Sequence, residues 1–285
     1  MKNEGSKKQL SGLKKREGSD QVTSLFGVND WKILNIALFS GDMNRVLNII
    51  GEKLDLGTKK YWIATVNPEF VMEAQKDDNF ARILRETNLN VVDGIGLVWA
   101  RRVLENSKGK LGRGLGIGME ILRGKYRNQL ASGADLIESL AKMAQKKGLK
   151  IFFLGGFGDR AQKTAINLTN RFDLDPKQVK WSAGEPYVEN KQVIEEINQF
   201  KPDILLVAYG MKKQEMWIDK NLADLNVGVV MGVGRSFDYY SGELKRAPEG
   251  WRRLGLEWLY SLLQEPKRIK RQLALLRFVW KVLLG

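Results

Sequence analysis

The 285-residue chain contains neither cysteine nor histidine. That double absence removes disulfides, zinc–thiolate sites, and serine or cysteine triads that depend on an imidazole base. A general base here has to be a carboxylate, a lysine or a tyrosine. The missing cysteine does not locate the protein, since a cytosolic chain need not carry any. Long apolar runs are missing too. A membrane-spanning helix needs roughly 18–20 consecutive apolar residues, and the nearest approach, residues 273–284, is interrupted by Arg277 and Lys281. The stretch MKNEGSKKQLSGLKKREGSD has no apolar segment of the kind a signal peptide carries, so residues 1–27 read as a disordered basic tail. Acidic charge is scarce: 33 Asp and Glu against 47 Lys and Arg leave a net charge of +14. A surplus of that size points to an anionic partner, whether nucleic acid, a membrane surface or a phosphorylated substrate.

What is present is a repeated strand–helix alternation. Apolar runs at Tyr61–Val66, Leu89–Val92, Lys150–Leu154, Val179–Trp181, Asp203–Ala208 and Val227–Val233 alternate with amphipathic stretches such as Ala134–Lys147 and Arg160–Phe172. That rhythm specifies an α/β fold over residues 28–245, a doubly wound, mostly parallel, Rossmann-like sheet. Trp31–Phe39 reads as a further strand, with a helix over Met43–Leu54. Polar residues stand just after four of the strands: Thr65 and Asn67, Asp93, Gln214 and Glu215, and Asp238. In a parallel sheet these positions share one edge, the edge at which ligands bind. Asp93, on its glycine-flanked turn, suits either a carboxylate pressed against substrate or a cap on the next helix. Gly155-Gly156-Phe157-Gly158 suits either phosphate binding through backbone N–H groups or an ordinary strand-to-helix turn. It is neither a complete dinucleotide fingerprint nor a P-loop. Residues 105–133 are basic and glycine-punctuated, with one short helix expected at Met119–Leu122; the rest reads as a lid, a crossover or a solvated insertion.

After residue 245 the chain changes character. Residues 246–285 combine Arg252, Arg253, Lys267, Arg268, Lys270, Arg271, Arg277 and Lys281 with a Leu-, Trp- and Phe-rich surface, and Pro266 marks a break between two helices. A basic helix with Trp, Phe and Leu opposite its charges lies in a membrane interface, each cation contributing roughly 1 kcal/mol beside anionic lipid. The other reading is a helical pair packed on the domain or on a second subunit.

Taken in order, the short motifs resemble those of the WecG/TagA/CpsF glycosyltransferases. They are Thr65-x-Asn67-Pro68-Glu69, Asp93-Gly94-Ile95-Gly96 with Trp99, Gly133-Ala134-Asp135-Leu136 and Phe153-Leu154-Gly155-Gly156, then Gly210-x-x-x-Gln214-Glu215-x-Trp217. Gly232-Val233-Gly234, Phe237-Asp238, Gly242, Arg246-Ala247-Pro248 and Gly255-Leu256-Glu257-Trp258-Leu259-Tyr260 continue the series. The resemblance covers residues 28–272. It implies transfer of an N-acetylmannosamine-type sugar from a UDP donor to a polyprenyl-diphosphate-linked sugar, undecaprenyl in kind. Such transfer takes place at the cytoplasmic membrane face, in teichoic-acid linkage-unit, enterobacterial common antigen or capsule synthesis. It also implies that Asp93 is the catalytic base, assisted by Thr65, and that Asn67, Gln214 and Asp238 line the nucleotide-sugar pocket. Arg268 and Arg271 match arginines that complete the family's site from its C-terminal appendage. Gly155, Gly156, Glu215 and Arg246 complete the expected substrate-binding set. The chain departs from the family pattern at Ser261 (usually Arg), Arg235 (usually Gly), and Lys212 and Val66 (usually Pro). The first of these leaves one phosphate contact missing or supplied by a neighbour.

The expected chemistry is direct displacement with inversion at the anomeric carbon. No metal and no cofactor is expected, and backbone N–H groups with Arg or Lys counter the leaving diphosphate. The expected partners are the donor, the lipid-linked acceptor and an anionic membrane surface at the inner face, not nucleic acid; homo-oligomerisation stays open. The alternative from another class is a basic, non-catalytic protein with a Rossmann-like domain that binds nucleic acid or membrane. A nicotinamide-dependent enzyme is opposed by the incomplete glycine fingerprint.

Overall fold

A computed structural model describes residues 29–105, 109–187 and 191–284, apart from the side chains of Arg268, Lys270, Arg271 and Gln272. The tail expected over residues 1–27 lies outside the described residues.

In chain order the elements are β1 (Trp31–Ile33), β2 (Ile36–Leu38), α1 (Met43–Asp55), β3 (Tyr61–Val66), α2 (Pro68–Ala74), α3 (Asp78–Glu86), β4 (Leu89–Val92), α4 (Ile95–Leu104) and α5 (Lys110–Leu122). There follow α6 (Gly133–Lys147), β5 (Ile151–Gly155), α7 (Arg160–Phe172), β6 (Val179–Ser182), α8 (Lys191–Phe200), β7 (Ile204–Ala208), α9 (Lys213–Asn221) and β8 (Val229–Gly232). The chain closes with α10 (Ser236–Tyr240), α11 (Glu249–Arg253), α12 (Glu257–Gln264) and α13 (Ile269–Leu284).

Six strands form a parallel sheet in the order β4-β3-β8-β7-β5-β6. Its central strands are buried along their whole length, as expected when helices cover both faces. Alternation along each strand sorts the core. Ile63, Phe153 and Leu206 point to the face carrying α1, α6 and α7, packed with Ile50, Leu140 and Ala165. Trp62, Phe152 and Leu205 point the other way, onto α8 and α9 through Ile197 and Ile218. Near β4 that second face is covered by α2, α3, α4 and α13, whose Phe70, Phe80, Val98 and Phe278 pack with Ala64 and Val92.

Two sequence expectations are corrected here. Trp31–Phe39 is not one strand but a hairpin, β1 paired antiparallel with β2 around Leu34-Asn35. Both turn residues have positive φ, 44° and 67°, the conformation a two-residue hairpin turn requires. Its far end protects the sheet edge: the Phe39 N–H donates to the Asn90 carbonyl of β4 at 2.8 Å. Within the segment 105–133 the expected short helix at Met119–Leu122 is instead a thirteen-residue helix. Half of the segment's described part is α5, packed on α4, with the Trp99 indole N–H donating to the Gly114 carbonyl at 2.9 Å. Gly114 is small for a reason: a Cβ there would stand 3.0 Å from the Trp99 ring and 3.2 Å from Leu283 of α13.

The C-terminal helices are two-sided. Phe278 and Val282 of α13 are buried in the core beside α2 and α4, whereas Leu273, Leu276 and Trp280 are exposed.

Candidate active site

The C-terminal ends of the parallel strands open into a cleft of about 1180 Å³. Thr65 at the end of β3 and Asp93 just past β4 come from neighbouring strands, locked in register by the Asp93 N–H donating to the Val66 carbonyl at 2.7 Å. Asp93 is reached from the cleft but otherwise enclosed by protein. Its carboxylate accepts from the Gly133 N–H at the start of α6. A Cβ on Gly133 would lie 3.4 Å from Thr65 Oγ1 and 3.5 Å from Ser236 Oγ, so the four residues form one cluster around a backbone that comes close because it carries no side chain.

Burial pushes the Asp93 carboxyl up to about 7, and the negative charge of Glu257 adds to the rise; the Gly133 N–H and the Arg246 charge oppose it. A carboxylate poised there is half-ionised near neutral pH, the condition under which a general base works best. The Thr65 hydroxyl donates to the Gly232 carbonyl at 3.0 Å, which leaves its oxygen lone pairs as acceptors toward the cleft.

The opposite wall is built after β8. Gly234 N–H donates to Gln214 Oε1 at 2.8 Å, and the Gln214 amide donates to Glu215 at 2.6 Å. A Cβ on Gly232 would stand only 2.5 Å from that amide nitrogen. Beyond it, Asp238 of α10 accepts from both Arg160 of α7 and Arg235, and Arg235 reaches on to Glu265 at the end of α12. An arginine where the resemblance implies glycine thus ties the sheet edge to the C-terminal helices.

Of the expected site residues, Thr65, Asn67, Asp93, Gly156, Gln214 and Asp238 all line the cleft. Asn67 commits its Oδ1 to capping α2, accepting from the Glu69 and Phe70 N–H groups, so its NH₂ is what it can offer a ligand. Gly156 lends shape rather than a donor, since its N–H is taken by the Ala208 carbonyl at 3.0 Å. Three expected contacts do not line the cleft. Gly155 is pressed against Tyr209, where a Cβ would stand 2.8 Å from the ring. Glu215 is wholly buried behind Gln214, its oxygens accepting from the Lys212 N–H and the Gln214 amide, and burial pushes its carboxyl up to about 7. Arg246 stands behind Asp135 and Glu257, donating to the former at 2.7 Å and the latter at 3.3 Å. All three brace the residues that do reach the cleft. The side chains of Arg268 and Arg271 lie outside the described residues.

The structure adds cleft residues that sequence reasoning passed over: Arg127, Asp135, Arg160, Arg252 and Glu257. The signal for Arg160 was its place at the start of a helix after a glycine turn; α7 has no capping side chain, and Arg160 in its first turn lines the cleft. Among the described residues no cluster of three Asp or Glu is arranged to hold a metal ion.

The model of the glycosyl transferase WecG/TagA/CpsF family matches residues 31–111 and 111–285. The chain is 31% identical over 222 residues to the N-acetylglucosaminyldiphosphoundecaprenol N-acetyl-beta-D-mannosaminyltransferase of Bacillus subtilis (strain 168), covering 78% of each chain. It is 30% identical over 227 residues to the protein of the same name from Bacillus spizizenii (strain ATCC 23059 / NRRL B-14472 / W23), covering 79% of each. With a strand-edge cleft, a poised carboxylate and these matches along nearly its whole described length, the chain belongs to the WecG/TagA/CpsF family of glycosyltransferases.

Proposed function

We propose that the protein transfers an N-acetylmannosamine-type sugar from a UDP donor to an N-acetylglucosamine-type sugar carried on polyprenyl diphosphate, with inversion. The relatives' names supply the sugar and the lipid-linked acceptor. The observation that carries the mechanism is Asp93, a carboxyl pushed up to about 7 beside Thr65 at the floor of the cleft. An acceptor hydroxyl attacks the anomeric carbon and gives its proton to the Asp93 carboxylate. The new glycosidic C–O bond forms as the bond to the β-phosphate oxygen breaks, and the electron pair leaves with UDP. Thr65, an acceptor toward the cleft, orients the attacking hydroxyl or a neighbouring one. The growing charge on the diphosphate is countered by Arg160, Arg235 and the first turn of α7. Arg235 thereby supplies the cation that Ser261 does not.

No helix among the described residues is long and apolar enough to cross a membrane. The acceptor's lipid nonetheless has to reach the cleft, and the exposed apolar side of α13 suits a peripheral position on an anionic bilayer at its cytoplasmic face. The reading is tested by supplying UDP-N-acetylmannosamine with a short-chain polyprenyl-diphosphate-linked N-acetylglucosamine and separating the lipid products. One added sugar, dependent on the acceptor, is expected. Release of UDP with no sugar appearing on the lipid would contradict the proposal.

A further inference from the structure

Helix α5 carries a surface that the cleft does not use. Leu111, Leu115, Met119 and Leu122 recur at four- and three-residue spacing and are 66%, 69%, 56% and 53% exposed, while Gly114, Ile117 and Ile121 face inward. Gly112, Gly116 and Gly118 stand among them with nothing within 4 Å of where a Cβ would be. In water this helix is poorly made: large side chains are left hydrated, and each interior glycine costs about 1 kcal/mol relative to alanine. Its neighbour shares the pattern. Leu283 of α13 packs against Gly114, and α13 exposes Leu273, Leu276, Trp280 and Leu284. The charge that accompanies these two helices is positive: Lys110, Arg113 and Arg123 with α5, Arg277 and Lys281 on α13. Helix α13 has no acidic residue, and Glu120 of α5 is already paired with Lys125 at 2.7 Å and accepts from the Tyr126 hydroxyl.

We propose that α5 is a second membrane-docking element, its Leu111–Leu115–Met119–Leu122 stripe entering the interface of an anionic bilayer beside α13. The proposal rests on the peripheral reading above and extends it to a second helix, α5, which packs on α4 and α13. Apolar ridges flanked by Lys and Arg fit acyl chains beneath anionic headgroups. A second copy of the chain fits poorly, because face-to-face contact would set Arg113, Arg123, Arg277 and Lys281 against like charges. Two docking helices would also fix how the protein is oriented on the bilayer, where one alone leaves it free to roll about the helix axis.

The cysteine-free sequence makes the test direct. Leu115→Cys, labelled with an environment-sensitive fluorophore, is mixed with vesicles of phosphatidylcholine plus phosphatidylglycerol or of phosphatidylcholine alone. Expected are a blue shift and quenching by acyl-chain bromines with the anionic vesicles, and neither when the label is at Lys146→Cys on α6, on the other face of the sheet. The triple variant Leu111→Ser/Leu115→Ser/Met119→Ser, with its circular dichroism unchanged, is expected to lose tenfold or more in vesicle affinity. A protein that floats with the vesicles while the label at position 115 stays in water overturns the proposal and leaves the peripheral reading standing. Failure of the wild type to float overturns both. Unchanged flotation of the triple variant, together with loss of a dimer in sedimentation, overturns it in favour of a second copy.

Discussion

Asp93→Asn is expected to lower kcat for sugar transfer by about 10²–10⁴-fold, the usual worth of a general base, with UDP-donor binding unchanged. The same substitution is expected to stabilise the fold above neutral pH. The folded-state pKa of Asp93 is raised, so its contribution to stability is fully present below the ordinary carboxylate range and is lost as pH rises through about 7. At pH 8 the wild type therefore holds an ionised carboxylate at a cost of a few kcal/mol at most, which asparagine removes. Thermal melts at pH 5 and pH 8 check this: the variant should gain at the higher pH and little at the lower. Opposite signs in activity and stability mark a residue kept for chemistry. A variant that turned over like the wild type would remove Asp93 from the mechanism. One that lost activity and melted lower at both pH values would make it a structural residue.

Phe278→Ala is expected to cost about 3–5 kcal/mol, because the ring is fully buried where α13 meets α2 and α4. For a chain of this size that corresponds to a fall of roughly 6–20 °C in melting temperature. Trp280→Ser, two residues on and exposed, should change stability by no more than about 0.5 kcal/mol. The contrast matters for catalysis because Leu275, on the same helix, lines the cleft and approaches Gly96 beside Asp93. The C-terminal helix is thus part of the site's wall, and its inner face belongs to the core. Equal melting temperatures for the two variants would show that α13 is not anchored as described.

The sheet was legible because its strands are buried on both faces and so appear as unbroken apolar runs between amphipathic helices. The position of Thr65, Asn67, Asp93, Gln214 and Asp238 at one edge follows from that alone. Which neighbours reach the cleft was not legible. Gln214 and Glu215 are adjacent in sequence and both fully buried, yet only Gln214 borders the cleft, because consecutive helical residues point about 100° apart. Arg246 looked like a ligand cation and is a brace, held by Asp135 and Glu257, which only the folded chain brings near it. The β1–β2 hairpin was hidden because its turn uses Leu34-Asn35 and no glycine to announce it. Helix α5 was hidden for the opposite reason. Its glycines at 112, 114, 116 and 118 read as loop, and packing against Trp99 and Leu283 overrides their poor helix propensity. The family motifs carried the reaction class, which removes the alternative of a non-catalytic binding protein.

The most direct test of the central claim, a half-buried carboxylate acting as base near neutral pH, is the pH dependence of kcat/KM for sugar transfer between about pH 5 and 9. A rising limb centred near 7 is expected in the wild type, since the base works only when ionised. In Glu257→Gln the limb should move to lower pH, because Glu257 is the larger of the two negative charges, with Asp135, that add to the effect of burial on Asp93. A profile that is flat across this range, or a limb that stays in place when the Glu257 charge is removed, would contradict the assignment of Asp93 as the base.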